Sequence, residues 1–383
     1  MSHLHNSSGQ VPQNRKFRSL IDLGTASVKA LVVELRGNET HIWGHGQAPL
    51  EGGYGPAGEI TDHEAIAAAC DVALSMAEEI TRNTFGRKIV PDQSVWGVPG
   101  WMYRGQPISF QQRRPRPEKR ISRREWQSIQ ARLDRVVGRL SGTPLDIIST
   151  AKIDGHTVTE AIGLQGETLA IQAFVVSVDS AAQAILHKVA AELELDPPVL
   201  VSHARAVAMA LSHDGIMLDM GRWGTSIVLV RQGRLTGSGW IPLGGQSFYR
   251  TLANGFGLSP AKLPIFCQDY INGLLPPVIT NAANAALVDP ANRWLDMIQE
   301  LLATLAAGVS HSLPHKIYLA GGAGQLPALS LIARQYHWTQ QLPWSRHPEV
   351  SLWQANSING LTNHTGHTWK ATDLICLGLA RLA

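Results

Sequence analysis

Leu20-Ile21-Asp22-Leu23-Gly24-Thr25, followed by Ser27 to Leu35, and Met217-Leu218-Asp219-Met220-Gly221, followed by Thr225 to Val230, decide the fold. In each stretch an apolar strand ends in Asp, a glycine follows two residues later and a β-branched run resumes, which reads as a hairpin with a sharp turn. The same unit occurring twice in 383 residues predicts two related α/β lobes, since a single hydrophobic core usually stops growing below about 250 to 300 residues.

Working outward from the first hairpin, Gly58 to Asn83 reads as a helix. Thr61 and Glu64 supply a capping box, and Ile66, Cys70, Ala73, Ala77 and Ile80 share one face. Gln93 to Gly100 reads as a short strand, after which the chain turns polar and arginine-rich. Ile121 to Leu140 is a charged helix with Ser122 as cap, Ile147 to Lys152 and Leu169 to Val178 are strands, and Ala181 to Leu193 is a helix before a strand at Pro198 to Val201. Beyond the second hairpin come a helix opened by Gly244-Gly245, an amphipathic helix over Ala291 to Val309, a buried strand at Lys316 to Leu319, and a final helix over Ala371 to Leu382.

This pattern divides the chain into a loose polar tail over 1–16 and a first lobe over 17–97, 180–210 and 366–383. A small α+β insert occupies 98–179, a second lobe core 211–245 and 302–365, and a smaller subdomain 246–301.

Composition narrows the function. A net charge of +3 does not make nucleic acid a default partner. Cys70, Cys267 and Cys376 are scattered and form no CxxC pair, so neither a disulfide framework nor a zinc-finger site is predicted, and a reducing cytoplasm fits. Charges interrupt every apolar stretch before it reaches the roughly 18 to 20 residues that span a bilayer. No signal peptide is read in Met1 to Lys16.

The chemistry lies in three turns. Asp22, Gly24, Thr25 and Lys29 offer a carboxylate for a hydrated divalent cation, turn N–H groups for phosphate oxygens, and an ammonium on the returning strand. Asp219 repeats the carboxylate. After Leu319, the loop Ala320-Gly321-Gly322-Ala323-Gly324 lets backbone approach a flat, uncharged group such as adenosine. Alone, each turn has an ordinary structural explanation; together, at the ends of strands, they predict one ligand crevice.

That order of loops resembles the superfamily of actin, sugar kinases and heat-shock chaperones. Within it, the chain is similar to the bacterial cell-division family FtsA. The resemblance rests on Gly58-Glu59-Ile60, Val98-Pro99-Gly100, Ile153-Asp154-Gly155, Ile162-Gly163-Leu164-Gln165-Gly166, Ile241-Pro242-Leu243-Gly244-Gly245 and Leu319-Ala320-Gly321-Gly322-Ala323. It covers roughly residues 17 to 383, and the insert within the first lobe is shared with the pilus assembly family PilM.

The resemblance implies an actin-like fold that holds ATP with Mg2+ between its lobes. Asp22 and Asp219 face the magnesium through water, while Gly24, Thr25, Lys29, Gly221, Arg222, Gly224 and Thr225 surround the phosphates. Gly244, Gly245, Lys262, Gly321, Gly322 and Ala323 complete the nucleotide contacts. Two departures bear on turnover. Arg222-Trp223 replaces glycines in the second phosphate loop, where an indole obstructs phosphate unless its ring turns outward, although Arg222 can bind phosphate itself. Lys262 and Ile265 stand where the family places ribose and base contacts. His203 lies where related ATPases orient the attacking water, and the alternative is a structural histidine at a strand end. The expectation is at most a weak ATPase.

The family implies a cytoplasmic adaptor that self-associates into filaments and links a tubulin-like FtsZ division ring to other divisome or membrane components. The alternatives are a PilM-like platform of a pilus or secretion system and a small-molecule kinase. FtsA proteins end in a membrane-targeting amphipathic helix, and the helix ending at Leu382 reads instead as part of the fold, so attachment is expected through a partner or the basic insert. That insert carries Arg104, Arg113, Arg114, Arg116, Lys119, Arg120, Arg123 and Arg124, which is either a solvated face or a contact for a neighbouring subunit or an anionic membrane. Without interleaved aromatic residues, it is not read as a nucleic-acid site.

Overall fold

A computed structural model describes residues 16–383 except 56–57, 212, 308–311, 339–341, 345 and 356–357. The tail predicted for the first residues lies outside the described residues up to position 15.

The first lobe opens with β1 (Lys16–Leu23), β2 (Ser27–Arg36) and β3 (Glu39–Pro49), crosses through α1 (His63–Phe85) and adds β4 (Ser94–Val98). The insert follows as β5 (Tyr103–Arg113), α2 (Arg123–Val137), β6 (Thr143–Ile153), β7 (His156–Val158) and β8 (Thr168–Val178). The chain then returns through α3 (Ser180–Glu192), β9 (Val199–Ser202) and α4 (His203–Leu211).

The second lobe begins with β10 (Gly215–Met220), β11 (Thr225–Arg231) and β12 (Arg234–Ile241). Four helices follow: α5 (Gly245–Phe256), α6 (Leu263–Ile271), α7 (Pro277–Ala286) and α8 (Val288–Ala306). β13 (Lys316–Ala320), α9 (Pro327–Gln335) and β14 (Glu349–Leu352) complete its sheet. β15 (Leu361–Asn363) and α10 (Leu374–Leu382) go back to the first lobe, where β15 pairs with β3 and α10 packs beside α4.

The duplication read from the two aspartate turns holds at the level of whole sheets. The first sheet runs β15-β3-β2-β1-β4-β9 and the second β12-β11-β10-β13-β14. Setting β15 aside, both are an antiparallel three-strand meander extended by two parallel strands. Asp22 lies opposite Lys29 on β2 and Gly97 on β4; Asp219 lies opposite Ser226 on β11 and Ala320 on β13. The two carboxylates therefore occupy equivalent places near the carboxyl ends of equivalent strands, where ligands of α/β sheets bind. Each lobe has its own apolar core, one around Leu20, Ile21, Ile66 and Trp96 and the other around Leu218, Ile227, Trp294 and Leu319.

Two local readings are corrected. α1 is capped by Asp62, whose side chain accepts from the Ala65 N–H at 3.0 Å; Thr61, expected to cap, is tied into the incoming loop by its N–H bond to the Gly53 carbonyl at 2.9 Å. The arginine-rich stretch after Gly100 begins as a strand, Tyr103–Arg113, whose exposed and half-buried positions largely alternate. Within the basic cluster, Arg114 is 4% exposed. Its guanidinium forks onto Glu125 at 2.7 and 3.1 Å and also donates to the carbonyls of Pro117, Gly166 and Lys119. It fastens the insert's loop to α2, whereas its neighbour Arg113 remains exposed.

Candidate functional site

A cleft of about 420 Å³ opens between the two hairpin turns and the glycine loop after β13. Its lining brings together Asp22, Gly24, Thr25, Lys29, His203, Asp219, Gly221, Arg222, Gly224, Gly245, Gly321, Gly322 and Ala323. Three of the sequence-predicted residues stand elsewhere. Thr225 is fully buried, donating to the Leu243 carbonyl at 2.7 Å and accepting from the Trp294 indole at 3.0 Å. Gly244 is packed under the second turn, where a Cβ would lie 2.4 Å from the Gly224 nitrogen. Lys262 is exposed at the start of α6 and does not line the cleft.

The three turns are positioned by their own backbones. The Arg222 N–H donates to Thr25 Oγ1 at 3.3 Å, joining the first turn to the second. The Gly245 N–H donates to the Gly221 carbonyl at 2.8 Å, fixing the start of α5 against the second turn. Gly321 adopts φ +80°, and a Cβ there would sit 2.4 Å from the Met220 carbonyl and 2.7 Å from Asp219 Oδ1. Only glycine serves at that point. At Gly322 the space is open, the nearest atom to a Cβ being the Tyr249 hydroxyl at 4.0 Å.

Electrostatics sets the character of the floor. Burial pushes the Asp219 carboxyl up to about 6; His203 opposes that rise and the Asp22 carboxylate adds to it. His203 Nε2 lies 3.1 Å from Asp22 Oδ1, but the contact does not meet hydrogen-bond geometry. That nitrogen thus finds no hydrogen-bond partner among the described residues.

Lys29 is buried, and its ammonium is already engaged by the Thr372 carbonyl and by Asp373 Oδ1, the latter at 3.3 Å. Burial works against its charge, yet the carboxylates of Asp22 and Asp373 outweigh it and hold the lysine pKa above its ordinary value. Lys29, read from sequence as a phosphate ligand, lines the cleft and is also held between the first turn and the segment that leads into α10.

The indole in question turns out to be a different one. Trp223 is half-buried, does not line the cleft, and has the Arg222 guanidinium 5.1 Å from its ring centroid. Trp240, near the end of β12, lines the cleft instead, and a Cβ on Gly224 would be 2.3 Å from its ring. Trp101 stands beside it at a ring separation of 6.5 Å. Tyr249, Gln246, Thr372, Leu374 and Ile375 complete the wall, and none of these had been singled out from sequence.

Comparisons with known proteins bear on the fold. No protein-family model matches the sequence, and no curated protein matches it. Among solved structures, the chain is similar to the PilM-PilN type IV pilus biogenesis complex, with 17% identity and a TM-score of 0.62, covering 95% of this chain and 97% of that one. It is also similar to the ethanolamine utilization protein EutJ from Carboxydothermus hydrogenoformans, with 16% identity and a TM-score of 0.51, covering 97% and 91%. Among the described residues, no helix is long and apolar enough to cross a membrane. With its duplicated sheets and the cleft between them, the chain has an actin-like two-lobed fold.

Proposed function

We propose that this chain is a cytoplasmic docking protein that binds ATP with Mg2+ between its lobes and acts through a protein partner, with slow turnover at most. The observation that carries the reading is the convergence of Asp22, Asp219 and the Gly321-Gly322 loop on one cleft. Its volume is within the range of small-molecule sites. The donor set suits the ligand: the Asp22 and Asp219 carboxylates line one cleft, where a hydrated hard cation can be held through its waters.

When bound, Mg2+ would neutralise phosphate oxygens. The residues of this chain do the rest. The turn N–H at Gly24 donates to the phosphates, Arg222 offers a guanidinium, and the open face of Gly322 beside Tyr249 receives the nucleoside. Low turnover follows from Lys29, whose ammonium is occupied by Thr372 and Asp373 rather than free for charge developing on a phosphoryl group.

For the partner, the favoured reading is a PilM-like platform that docks the cytoplasmic tail of a membrane protein. It is supported by the near full-length likeness to the PilM-PilN structure and by the insert's four-stranded sheet in the first lobe. The second reading is an FtsA-like adaptor that forms filaments and binds FtsZ, supported by the motif set from Gly58-Glu59-Ile60 to Leu319-Ala320-Gly321. Calorimetry with ATP, with and without Mg2+, tests the nucleotide site, and absence of magnesium-dependent binding overturns it. Capture of a division-tubulin tail peptide, set against capture of the cytoplasmic peptide of a pilus membrane protein, decides between the partners.

A further inference from the structure

Beside the cleft but outside it, β3 alternates in a way that isolates one histidine. A Cβ at Gly44 or Gly46 would strike the carbonyl of Ala77 or Ala73 on α1, at 2.0 and 1.9 Å, so those two positions face the helix. His45 between them faces the other side of the sheet. It is 8% exposed, and its Nε2 has no hydrogen-bond partner among the described residues. A buried ring nitrogen left unpaired loses its hydration without replacement, so something has to offset it.

The groups around His45 are themselves metal ligands by type. Its ring stacks on His367 at 4.0 Å and 22°, and Trp369 packs edge-on against both imidazoles. His367 Nε2 lies 3.1 Å from Asp373 Oδ2, and Asp373 is 2% exposed. One ligand atom from each of His45, His367 and Asp373 falls within 4.8 Å of the others. In a tetrahedral zinc site with arms of about 2.0 to 2.1 Å, ligand atoms are about 3.3 Å apart. The His367–Asp373 pair already has that spacing, and His45 has to close the remaining gap by tilting out of the stack.

We infer that His45, His367 and Asp373 form a site for a divalent transition metal of the zinc class, with a fourth position left for water. Two imidazoles and one carboxylate favour such an ion over Mg2+, which prefers an all-oxygen shell. The second shell is in place: the Lys370 N–H donates to Asp373 Oδ2 at 2.9 Å, and Lys29 pairs with Oδ1 at 3.3 Å. An ion on Asp373 draws on the carboxylate charge that now holds Lys29, so occupancy loosens that lysine beside the nucleotide cleft. The site itself requires no nucleotide and stands whether or not one binds.

The neighbouring pair His41 and His364, joined ring to ring at 2.9 Å, supplies a control for the chain's 15 histidines. Chelator-stripped full-length protein is titrated with CoCl2 and then ZnCl2. The expected result is one Co2+ per chain with visible ligand-field absorption, displaced by one equivalent of Zn2+. His45→Asn and His367→Gln each weaken binding more than tenfold, whereas His364→Gln leaves it unchanged. His367 is half-buried, so His367→Gln with a melting curve like that of the wild type carries the test if His45→Asn misfolds. Absence of tetrahedral absorption at several-fold excess of Co2+, or absorption that survives His367→Gln, overturns the proposal.

Discussion

The backbone N–H of Arg222 donates to Oγ1 of Thr25 at 3.3 Å, so the second hairpin turn is hydrogen-bonded to the first across the mouth of the cleft. Thr25 is 5% exposed, which means that a lost partner there is not replaced by bulk water. Thr25→Val should cost about 1 kcal/mol of stability by denaturant titration. Faster amide hydrogen exchange confined to the two turns should accompany it; unchanged exchange there would show that the bond does not hold the lobes in register.

In the proposed function, Asp22 is the residue on which magnesium dependence rests. Asp22→Ala should remove any Mg2+-dependent component of ATP binding while leaving the fold intact by circular dichroism. Calorimetry in which the substituted protein still responds to Mg2+ would take Asp22 out of the site.

The two tryptophans near the second turn should behave oppositely. Because the ring of Trp223 lies outside the cleft, Trp223→Gly should change ATP affinity less than about threefold, within about 0.7 kcal/mol. Trp240→Ala opens the wall against Gly224 and should alter affinity by about tenfold or more, in whichever direction the freed volume serves. Equal effects of the two substitutions in the same titration would contradict this placement.

Asp219 gives a pH signature. Burial holds its carboxyl near 6 rather than at the ordinary 3.8, so the folded form keeps a proton that the unfolded form has released. Its contribution to stability is full below about pH 4, falls as pH rises through 6, and stays lost above. Asp219→Asn, which needs no proton, should therefore raise stability by at most about 3 kcal/mol at pH 7.5 without metal. Near pH 4 it should change little. Melting curves that gain as much at pH 4 as at pH 7.5 would point to another cause.

The hairpins were readable because their signal is local: β-branched runs on either side of Asp-x-Gly admit few other structures. β3 was not readable, since Gly44 and Gly46 weaken a strand pattern whose cause is the close approach of α1, a tertiary fact. β15 is three residues long and depends on pairing with β3 for its existence. At the site, Asp22, Asp219 and the Gly321 loop announced themselves by position at strand ends. Trp240 did not, because its proximity to Gly224 depends on how β11 and β12 pair. Thr372 and Asp373 carried no signature at all, so the clasp they place on the cleft-lining Lys29 was not legible.

The clasp on Lys29 also has a timetable. Its carbonyl acceptor at Thr372 lies 343 residues further along the chain. At about 5 to 20 residues per second of synthesis, the lysine waits roughly 20 to 70 s for the residue that will hold it. Throughout that interval the nascent first lobe carries a loose ammonium beside an aspartate turn, and incomplete translation products lacking residues 372–375 would lack part of the cleft wall. The wall of the cleft, on this geometry, is finished only when residues 372–375 emerge, so a chain stalled before them carries the first turn without its clasp.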